Sequence, residues 1–227
     1  MSRPPPSESM IVAAPRSAGG LGQLLVSSRP RGLRSLLGCN KSEEVSLDVH
    51  EAGLVRRDRS GEVTLTWPEI FAVYEVLEEV ETPIGTRLEP KVILQSSAGQ
   101  RVVVDKSLSR HVDIGRIVAT RTQDAMLSRC EALLAFGRRV ELGPIALDPF
   151  GMHTPDSTHS WASIAYVRWD RLVYRGSFSI HLLDGSIGAR VPSEYVQNPR
   201  VLLSLLERQG KLEDAKEVLI AAVLGAA

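Results

Sequence analysis

The stretch V-S-L-D-V-H-E-A-G-L-V (residues 45–55), followed after a turn by T-W-P-E-I-F-A-V (66–73), has a counterpart later in the chain. That counterpart reads I-A-L-D-P-F-G-M-H (145–153), a turn, then S-W-A-S-I-A-Y-V (160–167). Apolar and polar residues alternate in both, the period of a half-buried strand. Each copy has a strand ending near an aspartate (Asp48, Asp148) and a glycine turn (Gly53, Gly151). Each then has a tryptophan (Trp67, Trp161) with an isoleucine three residues on (Ile70, Ile164). Ordered similarity repeated along one chain indicates two copies of one folding unit. Trp67, Ile70, Trp161 and Ile164 are the predicted core anchors, because large rings bury the most area per residue.

Outward from the first copy, Asp58-Arg59-Ser60-Gly61 reads as a hairpin turn, with the glycine free to take positive φ. Strands are predicted at Phe71–Val76, Arg87–Gln95 and Arg101–Val104, with Glu78, Glu79 and Glu81 in a solvated loop. The period then changes: Ile114, Ile117, Val118, Ala125 and Leu133 predict a long helix from Ser109 to Arg138, capped by Ser107 or Ser109. The second copy continues with strands at Ile164–Trp169, Phe178–Leu182 and Ile187–Val191. Asn198-Pro199 then opens a helix whose stripe is Val201, Leu202, Leu205 and Leu206.

The expected fold class is therefore α+β, mainly β: two tandem modules, each a small curved antiparallel sheet capped by a C-terminal helix. Residues 1–42 read as a flexible Pro/Gly/Arg leader, with a short helix over Leu21–Val26 able to dock on the body. Residues 43–138 form the first module and 139–208 the second; 209–227 add an amphipathic helix.

The pattern Gly53-Leu54-Val55-Arg56-Arg57, turn, Trp67-x-x-Ile70-x-x-Val73 resembles bacterial pleckstrin-homology-like domains. More narrowly it resembles an actinobacterial-type family of unknown function with two such halves. In that family the second half also ends in a Val-Pro…Asn-Pro-x-Val-Leu-Leu-x-Leu helix, as Val191-Pro192 and Asn198–Leu205 do here. The resemblance covers about residues 43–208. It implies the tandem fold and says little of function. Members often carry a hydrophobic membrane segment; this sequence has no run of about 18 apolar residues to match it.

Composition narrows the function classes. Lys+Arg and Asp+Glu both total 27, so the basic excess that phosphate neutralisation demands is missing, and no nucleic-acid partner is expected. Two cysteines, Cys39 and Cys130, are too few for a disulfide framework or a zinc site. With no secretory signal in residues 1–9, the expected compartment is the cytoplasm.

Catalytic chemistry finds no foothold. The five histidines lack metal-helix or zinc-ribbon spacing, and His153 with His159 reads as a pair flanking one turn. There is no G-x-S-x-G elbow and no phosphate loop around Gly19-Gly20-Leu21-Gly22. No catalytic, metal or cofactor residue is assigned. In lipid-binding relatives the implied headgroup site is a basic loop between early strands, which here points to Arg56, Arg57 and Arg59. The expectation is a non-catalytic protein or peptide binder, with peripheral binding to anionic lipid through those arginines as the alternative. The oligomeric state stays open.

Overall fold

The structure is a computed structural model and describes residues 20–29, 45–83, 85–170 and 176–213. It is mainly β, with all sheets antiparallel. Strands β1 (Leu24–Ser28), β2 (Ser46–His50), β3 (Gly53–Asp58) and β4 (Gly61–Thr66) form a four-stranded sheet in chain order. A 3-10 turn, Trp67–Glu69, leads into a three-stranded sheet of β5 (Ile70–Thr82), β6 (Gly85–Ser96) and β7 (Arg101–Val104). Helix α1 (His111–Ala135) follows.

The second half repeats this order. Strands β8 (Val140–Leu142), β9 (Ile145–Leu147), β10 (Gly151–His153) and β11 (Thr158–Ser160) form a four-stranded sheet. Strands β12 (Ile164–Asp170), β13 (Ser177–Leu182) and β14 (Ile187–Pro192) form a three-stranded one, and α2 (Pro199–Arg208) closes the unit.

The repeat extends to single hydrogen bonds. Gly53 pairs with Thr66 and Leu54 with Leu65; Gly151 pairs with Ser160 and Met152 with His159. The Trp67 backbone N–H donates to the Ala52 carbonyl (3.1 Å), and that of Trp161 to Phe150 (3.0 Å). Both three-stranded sheets begin with a bulge, after Ile70 and after Ile164. This register corrects one equivalence suggested by the sequence. His50 pairs with Gly53, and the Asp148 N–H donates to the Gly151 carbonyl. Asp148 therefore matches His50, not Asp48. The shared Leu-Asp dipeptide misleads by two residues, because the glycine turn, not the aspartate, fixes the hairpin.

A β-carbon on Gly53 would lie 2.2 Å from the Leu65 carbonyl oxygen, and one on Gly151 would lie 2.1 Å from that of His159. Only glycine lets these strands approach so closely.

Several boundaries differ from the sequence reading. Leu21–Val26 forms no helix: residues from Leu24 on are strand β1, paired with β2. Leu21 is buried, and its carbonyl accepts from the Ala52 N–H (2.9 Å). Glu78, Glu79 and Glu81 lie not in a loop but in β5, which runs on through Thr82 opposite β6. Cross-strand pairing keeps this polar stretch extended where no apolar alternation marks it. Helix α1 is shorter than predicted and is capped by neither serine; its N-cap is Arg110, at φ +56°. Ser107 binds Asp105 instead, and Ser109 binds Ser28 on β1. Of the predicted last helix over 209–227, residues 209–213 are not helical, Leu212 instead bridging to Val167 on β12; the remainder, like Cys39, lies outside the described residues.

Among the anchors, Ile70 and Ile164 are fully buried, Trp67 is buried and Trp161 is half-buried. Each indole N–H finds a backbone carbonyl, Trp67 that of Glu51 (2.7 Å) and Trp161 that of Asp148 (3.0 Å). Polar tips of buried rings need such partners. Helix α1 lays Ile114, Gly115, Val118, Ala119, Thr122, Met126 and Cys130 on its buried face, spaced three and four apart. Among the described residues, no helix is long and apolar enough to cross a membrane.

Candidate functional site

The basic hairpin is the sequence-predicted site, and Arg56 and Arg57 are engaged with acids. Arg56 and Arg57 are neighbours on β3, so their side chains leave opposite faces of the sheet. Arg56 pairs with Asp58 (3.1 Å). Arg57 bridges Asp48 on β2 and Glu62 on β4, the latter at 2.8 Å. Arg59 sits in the β3–β4 turn. The three do not converge on one cradle. Burial opposes ionisation of Asp48, but hydrogen bonds from Ser27 and Arg57 outweigh it and hold the carboxyl below its ordinary range.

His153 and His159 bond separate partners. His153 Nε2 meets Asp148 Oδ2 at 2.7 Å and its Nδ1 meets Thr158 Oγ1 at 3.1 Å. His159 instead bonds Ser157 (2.8 Å), so the two rings do not share a ligand. Among the described residues, no group of three or more His, Cys, Asp or Glu is placed to hold a metal ion.

The Asp148–His153 pair has a different consequence. Asp148 Oδ1 accepts the backbone N–H groups of Phe150 (2.7 Å) and Gly151 (2.9 Å), an Asx turn that projects the Phe150 ring outward. Burial opposes ionisation of Asp148. The Phe150 N–H, His153 and the Gly151 N–H outweigh it and lower the carboxyl. Backbone bonds link two further turns to this one in series: the Trp161 N–H donates to the Phe150 carbonyl, and the Leu183 N–H donates to the Ser163 carbonyl (3.0 Å). The result is an apolar end on the second half, where Phe150 is 80% exposed, Leu183 71% and Ile187 44%.

The first half has the same turns with different chemistry. Ser97 N–H donates to Glu69 as Leu183 does to Ser163, and Ile187 pairs with His181 as Arg101 pairs with Gln95. The counterparts of Phe150, Leu183 and Ile187 are thus Ala52, Ser97 and Arg101. Leu21 also covers that end, packing over Gly53. Sequence reasoning passed over the apolar end, although a phenylalanine between a proline and a glycine in a turn is the signal that marks it.

The two halves meet at Asn198. It caps α2 at φ +52° and is 6% exposed. Its Oδ1 accepts from the Val73 N–H (2.7 Å), its own N–H donates to the Val73 carbonyl (2.7 Å), and Nδ2 donates to Phe71 (3.0 Å). Arg200 forks onto Glu75 (2.6 and 3.3 Å) beside it. These contacts line a shallow groove with Thr122, Gln123 and Met126 of α1. The segment Asn198–Arg200 thus closes the outer edge of β5.

No protein-family model matches the chain, and no curated protein matches it.

Proposed function

We propose that this chain is a non-catalytic binding or scaffold protein of the cytoplasm, built from two pleckstrin-homology-like modules, whose partner is another protein. The supporting observation is the apolar end carried by Phe150, Leu183 and Ile187, which the first half lacks at its equivalent turns. Scattered exposed apolar residues need no explanation, but three on turns linked by backbone hydrogen bonds favour a contact surface. Burying the exposed parts of the three would supply roughly 3–6 kcal/mol to a complex. Aromatic and branched residues on a rigid turn are the usual anchors of such interfaces. Asp148 and His153 brace that turn, and the Asn198 clamp fixes the module behind it.

The repeated order of four strands, three strands and a helix supports the pleckstrin-homology-like reading. The lipid alternative finds less support, because Arg56 and Arg57 already have carboxylate partners.

The test is affinity capture from the native host with the wild-type chain and with Phe150→Asp/Leu183→Asp. One stoichiometric partner, bound by the wild type and lost by the variant, is expected. A partner retained equally by both would refute the assignment of the surface. Pelleting with anionic vesicles, abolished in Arg56→Glu/Arg57→Glu, would favour the lipid reading instead.

A further inference from the structure

The edge of β12 carries a second feature. Val167 is equivalent to Val73, and its backbone also faces away from its sheet. The Val167 N–H donates to the Lys211 carbonyl (2.6 Å) and its carbonyl accepts from the Glu213 N–H (3.0 Å). Together they make an isolated parallel bridge to Leu212. Arg168 grips the Glu213 carboxylate through two nitrogens, the Nη2 contact at 2.6 Å. Lys211 Nζ donates to the Ile164 carbonyl (2.7 Å), and Leu212 packs half-buried against the core. The three residues after Gly210 thus lie on the sheet edge as an added strand.

We propose that the outer edge of β12 at Val167 is a peptide-acceptor site which the chain's own Lys211–Glu213 fills in cis. In trans it accepts an extended partner peptide bearing a carboxylate directly after an apolar residue. The inference rests on the protein-binding reading above but uses a different surface.

Three observations carry it. First, the two edges are not held alike. At Val73 the occupant is Asn198, buried and continuous with α2, so that edge opens only if the halves separate. At Val167 the occupant is a three-residue strap held by two backbone bonds, the Lys211 side-chain bond, half-buried Leu212 and a partly exposed ion pair. These contacts outweigh the cost of ordering three residues, so the strap stays bound most of the time, but a short strap opens without separating the halves and can be displaced by a partner peptide.

Second, the carboxylate receptor is preformed. The Arg168 guanidinium lies 5.8 Å from the Tyr166 ring centre, and Tyr166 stacks on His181 at 4.4 Å. The cation–π contact gives the fork a support besides Glu213. Third, a vacated strand edge presents paired N–H and C=O groups, which is the chemistry of β-strand addition. The strap's own order, basic, apolar, acidic, reads out what the edge recognises.

The probe is a fluorescein-labelled synthetic peptide, Q-G-K-L-E-D-A-K, copying residues 209–216. It is titrated into the full-length wild-type chain and into a Leu212→Asp/Glu213→Lys strap variant, read by anisotropy. Binding at least tenfold tighter to the strap variant is expected, and Arg168→Glu in that background abolishes it. Hydrogen exchange at the Val167 amide should be slow in the wild type, fast in the strap variant and slow again with peptide. No peptide binding to a variant whose Val167 amide exchanges fast, while β13 stays protected, overturns the proposal. If the double variant loses β13 protection, Glu213→Gln, which keeps Leu212, replaces it under the same criteria. Phe150→Asp/Leu183→Asp placed in the strap variant should leave peptide binding unchanged, so each surface fails or stands alone.

Discussion

Replacing Asn198 by alanine removes two of the side-chain bonds that join the halves. The Val73 N–H loses an acceptor at 2.7 Å and the Phe71 carbonyl loses a donor at 3.0 Å, in a site only 6% exposed. A buried donor left without a partner costs about 1–3 kcal/mol, and the second bond contributes about 0.5–1.5 kcal/mol. Alanine at φ +52° adds roughly 1 kcal/mol, because asparagine tolerates the left-handed region better. Water entering from the neighbouring groove softens the loss, so the expected destabilisation is about 2–4 kcal/mol. Aspartate at the same position separates the two bonds. It still accepts from Val73, yet it places a carboxylate against the Phe71 carbonyl and cannot donate to it. Asn198→Asp should therefore be worse than alanine at neutral pH. It should recover as pH falls through the raised pKa of that buried acid, where the protonated group donates again. Equilibrium urea unfolding across pH 4–8, followed by tryptophan fluorescence, measures both variants. A loss below about 0.5 kcal/mol for Asn198→Ala, or no acid recovery for Asn198→Asp, would refute the clamp as a principal link.

Gly53→Ala and Gly151→Ala force a β-carbon to within about 2 Å of the opposite strand's carbonyl oxygen. Each should cost about 2–3 kcal/mol or more in thermal or urea unfolding; tolerance of either would show that its hairpin relaxes freely. Asp48, held low by Ser27 and Arg57 against the opposing effect of burial, stabilises fully above the ordinary aspartate range near about 4. That contribution disappears as pH falls through its lower folded value, so Arg57→Ala should flatten the acid limb of the stability–pH curve. An unchanged acid limb would remove the ion pair from the account. Burial raises the Cys130 thiol above its ordinary value, with Arg129 only partly opposing. Alkylation at Cys130, followed by peptide mass spectrometry, should be slow at pH 7 and accelerate on adding urea. Rapid native labelling would contradict its place in the core.

Alternating Val, Leu and Ile around Trp67–Ile70 and Trp161–Ile164 carried the mainly β architecture, the internal repeat and the switch to helix after the third sheet strand. Those features are local: period and turn chemistry report which face a residue buries within a few positions of itself. Tertiary structure decided what the same residues meet. Asp58 and Glu62 stand beside Arg56 and Arg57 already in the sequence, but only strand pairing brings Asp48 of β2 to Arg57. Asn198 reads as a helix cap, and only the packing of the two halves delivers it to Val73, 125 positions away. Phe150 and Leu183 read as apolar residues like any others until their linked turns leave both outside the core. The strap on β12 reads in sequence as the start of an amphipathic helix, because three residues on a sheet edge are too few to show a strand period of their own. Local sequence encodes which groups are buried; long-range pairing, which depends on the register of many strands at once, decides their partners.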